Sequence, residues 1–282
     1  MMRKHLTAAA LAVVLGAGRV SAQTPAPVDS AAAPSDDQAA SELREHHRHH
    51  HHGGITQFIA MSLDTLGEDD AERPQIEKFQ HELHGCLAPA GKVEKSVLKT
   101  ISLGVAAGSI DAAKVDAAIG QLGKAADAVH SCSVETINKL HKALSPAERQ
   151  ALADKVQAHW QVWRQVNHEA EVGGLNALTK ELSLTPDQVS KMTDQLRAAL
   201  APAGGKFDPQ KAEEHMQAFA SAFTSETFDA KSVVSDNGKL ATHGAKRMAL
   251  FYETVTPLLT KDQCAILSAH LREHSRQQPS KS

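Results

Sequence analysis

Apolar side chains recur along this chain at helical spacing. Phe79, Leu83 and Leu87 form one such stripe and Val93, Val97 and Ile101 the next. A longer one holds Ile119, Leu122, Val129, Ile137 and Leu140, followed by Leu152, Val156 and Trp160. Further on come Met192, Leu196 and Ala199; Met216, Phe219 and Phe223; Leu240, Met248, Phe251 and Val255; and Ile266, Leu267 and Leu271. Apolar positions three and four apart lie on one face of a helix. Strand-like alternation is absent, and Ala, Leu, Lys, Gln and Glu, all good helix formers, dominate. The pattern predicts an all-α protein with about four helices in each of two stretches. Pro89, Gly108, Gly173-Gly174, Pro202 and Gly204-Gly205 fall between the segments as expected breaks, whereas Gly120, Gly123 and Gly244 fall inside helical patterns. Asp111 and Asp229 are expected N-caps of the third and longest helix of each stretch, running to Leu144 and Leu258.

Helix starts are marked by a five-residue pattern. It reads Leu184-Thr185-Pro186-Asp187-Gln188 and Leu259-Thr260-Lys261-Asp262-Gln263, with a variant at Leu144-Ser145-Pro146-Ala147-Glu148. Ser or Thr at the N-cap with Gln or Glu three residues on is a capping box, in which each side chain takes up a backbone N–H the helix leaves unpaired. Pro146 and Pro186 fall at the first helical position, where a missing N–H costs nothing. The leading Leu can staple onto Val189 or Cys264; Arg149 offers a poorer staple.

These boxes sit in a longer repeat. Leu87-Ala88-Pro89-Ala90-Gly91 returns 113 residues on as Leu200-Ala201-Pro202-Ala203-Gly204. Ile110-Asp111-Ala112 returns after 118 residues as Phe228-Asp229-Ala230, Leu144 after 115 as Leu259, and Gly53-Gly54-Ile55 after 120 as Gly173-Gly174-Leu175. Preserved order with drifting offsets reads as a duplicated unit of about 110–120 residues. The opening box of the first copy has decayed to Leu66-Gly67-Glu68-Asp69-Asp70. The expected organisation is a signal peptide over 1–22, a linker over 23–54, helical units over 55–170 and 171–275, and a disordered tail over 276–282.

Arg3 and Lys4, the short apolar run Leu6 to Ala17 and the small-residue site Val20-Ser21-Ala22 predict export with Gln23 as the first mature residue. No other stretch is apolar enough to span a bilayer. Losing Arg3, Lys4 and Arg19 takes the formal charge from −3 to −6, which argues against a nucleic-acid partner. The linker is rich in Ala, Pro, Ser, Asp and Gln and cannot bury a core. It ends in His46, His47, His49, His50, His51 and His52, six histidines within seven positions. Such a run binds Zn²⁺ or Cu²⁺ while its imidazoles are neutral, or is simply a solvated tract; no cofactor is required by any other feature. His81 with His84, and His270 with His274, have the spacing of helical metal pairs, but the surface-polar reading is the favoured one for both. No phosphate loop, nucleophile elbow or Cys–His pair points to an enzyme.

The paired L-T-x-x-Q boxes, with Ser225-Glu226-Thr227-Phe228-Asp229 between them, resemble the Spy/CpxP family of periplasmic stress proteins. The second copy is similar from Leu184 to about His274, the first through the repeat and its closing box. The resemblance implies small four-helix units that pair antiparallel through their long helices into a thin curved cradle, here within one chain. It implies a periplasmic, ATP-independent chaperone that holds unfolded proteins. Met216, Phe219 and Phe223, alongside Val97 and Ile101, are the candidate client contacts, against the plainer reading of the same residues as core. CpxP-like members damp a membrane stress sensor, and metal-linked relatives bind Zn²⁺ or Ni²⁺ through histidines near the N-terminus. A sensor-regulating role and a metal-binding or metal-sensing role on the His tract are therefore the alternatives. The family's cradle is basic, whereas this chain is net acidic. The family fold also brings together the helices bearing Cys86 and Cys132, which in an oxidising compartment form a disulfide. Cys264, the third cysteine, reads as a buried small residue or as a cross-link between chains.

Overall fold

The computed structural model describes residues 53–63, 66, 73–200, 209–233 and 237–277. Among these the protein is all-α. The helices are α1 (Gly54–Ser62), α2 (Arg73–Ala106), α3 (Ala112–Ala143), α4 (Pro146–Leu182), α5 (Pro186–Leu200), α6 (Pro209–Thr224), α7 (Asn237–Val255) and α8 (Lys261–Gln277). Short 3₁₀ turns cover Ala230–Ser232 and Thr256–Leu258.

Local chemistry sets most of the helix ends. Asp111 accepts from the Lys114 N–H at 3.2 Å and opens α3. α2 ends in a Schellman motif: Gly108, at φ +75°, donates to the Val105 carbonyl, and the Ser109 N–H closes on Gly104. Ser183 ends α4 in the left-handed region at φ 50°, an uncommon conformation for a residue with a Cβ.

Three expectations about breaks are corrected. Pro89 lies inside α2, so the two expected stripes on either side of it belong to one helix. Its ring sits on the exposed side while Leu87 and Ala90 are buried, so solvent takes up the carbonyl that loses its partner. Gly173-Gly174 lies inside α4, which at 37 residues is the longest described helix. Glycine costs about 1 kcal/mol in a helix interior but does not force a break, and burial of Trp160 on one side and Leu178 and Leu182 on the other holds α4 at both ends. The expected boundary at 170/171 thus falls within a helix. Asp229 caps only the 3₁₀ turn at Ala230–Ser232, and the long helix after it starts at Asn237. Pro202 and Gly204-Gly205 lie outside the described residues.

Two apolar cores lie side by side, and each draws on residues from before and after position 170. The first gathers Phe58 and Ile59 of α1 with Leu63 at its C-cap, Phe79 and Leu83 of α2, Ile137 and Leu140 of α3, Leu152, Val156 and Trp160 of α4, and Phe219 and Phe223 of α6. The second gathers Val97, Ile101 and Val105 of α2, Ile119 and Leu122 of α3, Leu178 and Leu182 of α4, Met192 of α5, the small-residue seam Ala241, Ala245 and Ala249 of α7, and Leu267 and Leu271 of α8. Accordingly α2 packs on α3 and α8, α3 on α7, α4 on α6, and α5 on α7. At the α3–α7 crossing the backbones come close. A Cβ on Gly123 would stand 2.5 Å from Thr242 Oγ1. One turn on, Asp127 accepts the Gly238 N–H at 2.9 Å and so caps the start of α7 from the other half.

Candidate functional site at the junction of the halves

The capping boxes form as the sequence dictates. Ser145 N–H donates to Glu148 Oε2 at 2.7 Å, and the Glu148 N–H returns to Ser145 Oγ at 3.4 Å. Thr185 N–H donates to Gln188 Oε1 at 3.0 Å and Gln188 N–H to Thr185 Oγ1 at 3.2 Å. Thr260 and Gln263 repeat this at 2.9 and 3.3 Å. Of the leading leucines, Leu144 lies in the first core and Leu184 in the second, with Leu259 packed against the second.

What local reasoning missed is that two of these boxes grip each other. The Gln188 amide nitrogen donates to the Leu258 carbonyl at 2.9 Å and to Gln263 Oε1 at 2.8 Å. The Gln263 amide nitrogen donates to the Leu182 carbonyl at 3.2 Å and to Gln188 Oε1 at 3.3 Å. Each glutamine therefore uses its oxygen for its own helix and its nitrogen for the chain leading into the other box. A carboxylate could do the first job but not the second, because it has no donor. The reciprocal clasp explains why glutamine, rather than glutamate, occupies both positions.

The first half has a different joint. Arg149 occupies the staple position that Cys264 holds in the second half. It is buried, with Nη1 3.0 Å from His141 Nε2 and Nε without a hydrogen-bond partner. The same imidazole nitrogen lies 3.0 Å from the Ser225 carbonyl, so the ring bridges the end of α3 to the segment after α6. Phe228 stacks on it at 5.1 Å and Phe223 meets it edge-on at 5.3 Å. Cys264 is buried and unbonded to another cysteine, and burial pushes its thiol up.

Between α4 and α6 the contact is polar. Glu213 accepts from Trp160 Nε1 at 2.8 Å and Arg164 Nη1 at 2.8 Å, with Gln161 and Gln217 at 3.4 Å. The Trp160 bond, reinforced by Arg164, holds the Glu213 carboxyl below the ordinary carboxylate range. Trp160 is stacked on Trp163 at 4.9 Å and meets Phe58 edge-on. Between α4 and α8, His270 Nδ1 pairs with Glu181. Burial, with Glu181 nearby, pushes the neighbouring Tyr252 phenol up to about 12, which keeps it protonated.

The expected client contacts are not surface groups. Met216, Phe219 and Phe223 are 4%, 2% and 0% exposed, and Val97 and Ile101 are fully buried. Met216, Phe219 and Phe223 belong to the first core, where Phe223 meets His141 of α3 and Phe228. Phe219 lines a small, mostly apolar cleft with Ile55, Thr56, His130, Phe228 and Asn237. Burial lowers the His130 pKa and so favours its neutral form there. The large apolar side chains exposed among the described residues are Leu103 on α2, at 57%, and Ile266 on α8, at 43%. Their helices meet where Ser102 Oγ donates to the Ser268 carbonyl at 3.0 Å.

Cys86 and Cys132 are joined by a disulfide that ties α2 to α3, with Cα atoms 5.6 Å apart. The six histidines from His46 to His52 lie outside the described residues. Among the described residues no group of three or more His, Cys, Asp or Glu side chains comes together as a metal site. Nor is any helix there long and apolar enough to cross a membrane. Comparison with protein-family models, with curated proteins and with solved structures returns no match.

Proposed function

We propose that the protein is an exported, Spy/CpxP-like holder of unfolded chains, acting without nucleotide, in which the two halves form one body. The observation that supports this most is the sharing of both apolar cores between the halves, through α3 against α7, α2 against α8 and α4 against α6. In the family it resembles, two chains make such pairings to build the client surface. Burial of Met216, Phe219 and Phe223 moves the proposed contacts from α6 to the exposed side of α2 and α8, at Leu103 and Ile266. Single exposed apolar residues are ordinary on a protein surface, so contact at Leu103 and Ile266 would be weak and adaptable rather than a tight pocket.

Light scattering of a denatured model protein diluted into buffer, with and without the mature chain, tests the reading. Suppression of scattering is expected for several unrelated clients at low salt, unchanged by chelator. Leu103→Asp combined with Ile266→Asp should abolish most of it. Stability should move by no more than about 0.5 kcal/mol for each substitution, since both sites are exposed. Failure to protect any client would remove the chaperone reading. Protection that disappears with chelator would transfer the activity to the His tract.

A further inference from the structure

α2 passes from one core to the other along its length. Up to Ala90 its buried side chains, among them Phe79, Leu83 and Leu87, belong to the first core. From Val97 onward, with Ile101 and Val105, they belong to the second. Pro89 stands at the changeover, inside the helix. It has no N–H to donate to the Gly85 carbonyl, and its ring crowds that carbonyl, so this is the turn of α2 with the weakest backbone. Gly85 and Gly91 flank it and add backbone freedom on both sides. α3 makes the same passage between Ala126, in the second core, and Val129, in the first.

The disulfide lies at this waist. Cys86 is three residues before Pro89, and Cys132 is three residues after Val129. The repeated pentapeptide offers an internal comparison. In the first half Leu87-Ala88-Pro89-Ala90-Gly91 lies wholly inside α2. In the second half the same pentapeptide begins at Leu200, the last described residue of α5, and its remainder lies outside the described residues. The repeat offsets put Ala199 and Leu250, not cysteines, at the positions matching Cys86 and Cys132.

We propose that the Cys86–Cys132 disulfide is a redox latch on α2. Closed, it clamps the turn before Pro89 onto α3 and keeps the helix continuous from one core to the other. Opened, it lets α2 break locally at Pro89, while α3 and α4, which also run from one core to the other, hold the two cores together. The opening agent is a dithiol reductant. One of its thiolates attacks a sulfur of the bridge, its second thiol resolves the mixed disulfide, and Cys86 and Cys132 take up two electrons and two protons while the dithiol becomes a disulfide. The exposed Cys132 is the accessible end of the bridge and Cys86 is buried.

Amide hydrogen exchange read by mass spectrometry tests the latch on the full mature chain, oxidised and after dithiothreitol, and on the Cys86→Ser/Cys132→Ser variant. Reduction is expected to speed exchange of peptides covering residues 85–93 by roughly tenfold or more relative to those covering residues 112–126, a local opening rather than a global one. The serine variant should behave as the reduced protein. Adding Pro89→Ala to the serine variant should return residues 85–93 close to the oxidised rate. No change on opening the bridge would overturn the proposal. So would an equal rise across α2 and α3, which would make the bridge a plain staple. Failure of Pro89→Ala to restore protection would overturn it as well.

Discussion

Replacing Gln263 by Glu separates the two jobs of that side chain. The capping job survives, because a carboxylate oxygen can accept the Thr260 N–H just as Glu148 accepts the Ser145 N–H at 2.7 Å. The clasp is lost: the bonds from Gln263 Nε2 to the Leu182 carbonyl at 3.2 Å and to Gln188 Oε1 at 3.3 Å have no donor left. Gln188 can still donate to the side chain at 263, the contact now at 2.8 Å. Two part-buried hydrogen bonds at a net 0.5–1.5 kcal/mol each put the loss at about 1–3 kcal/mol. For a chain of this size that is a fall in Tm of roughly 3–10 °C. Gln188→Glu should cost a similar amount by freeing the Leu258 carbonyl. Gln263→Ala should cost about 0.5–2 kcal/mol more than Gln263→Glu, because the cap goes too.

The double variant carries a sharper consequence. Two carboxylates would then meet where two amides now pair, and like charges at that distance raise the pKa of one of them. A carboxyl whose folded pKa is raised binds its proton more tightly in the folded state, so stability increases as pH falls through that pKa toward the unfolded value and is lost as pH rises through it. At neutral pH the double loss should therefore exceed the sum of the singles, and the excess should shrink on acidification. Thermal melts followed by far-UV circular dichroism across pH would show this. A Gln263→Glu protein melting within about 1 °C of the parent, where the expected loss predicts several degrees, would refute the clasp. So would a strictly additive double variant with no pH dependence of its own.

Glu213 has the opposite pH behaviour: its folded pKa is depressed, chiefly by the Trp160 bond, so its contribution is present above the ordinary carboxylate pKa and is lost as pH falls through the folded value. Acidification should change Trp160 fluorescence in that range before the helices melt, and Glu213→Gln should remove the transition. Two glycines of α3 should respond in opposite directions to alanine. At Gly123 a Cβ would meet Thr242 Oγ1 at 2.5 Å, so Gly123→Ala should destabilise by about 1–3 kcal/mol. At Gly120 nothing lies within 4 Å of a Cβ, so Gly120→Ala should stabilise by up to about 1 kcal/mol. Denaturant titration of the pair checks both signs, and equal shifts would mean that the α3–α7 crossing is looser than described.

The features legible in the sequence are those decided within a few residues. Capping boxes, the Asp111 cap, the Gly108 terminator and the apolar stripes all depend on neighbours along the chain, and the structure has them. The features that escaped depend on neighbours in space. A helical stripe such as Met216, Phe219 and Phe223 announces a face that wants covering but not what covers it; here α4 and the first half's own core do. Gly123 falls inside a helical pattern with nothing along the chain to distinguish it from Gly120, because the crossing with Thr242 is made in space. Arg149 reads as a poor staple because its partner His141 is held by Ser225, Phe223 and Phe228, which come from a distant segment.

Breaks were misread for a related reason. A glycine pair or a proline lowers the cost of leaving the helix, but whether the chain leaves depends on what the flanking turns bury. α4 is anchored in the first core by Trp160 and in the second by Leu178 and Leu182. A break at Gly173-Gly174 would have to gain more than the single helix linking those anchors provides. That continuity has a consequence for the duplication. Two units joined by a flexible linker could separate and exchange partners with another chain. Units joined by one helix, and sharing both cores, must keep a fixed relation. The repeated sequence thus describes a protein whose halves complete each other, and any activity at their junction belongs to the whole chain rather than to either copy.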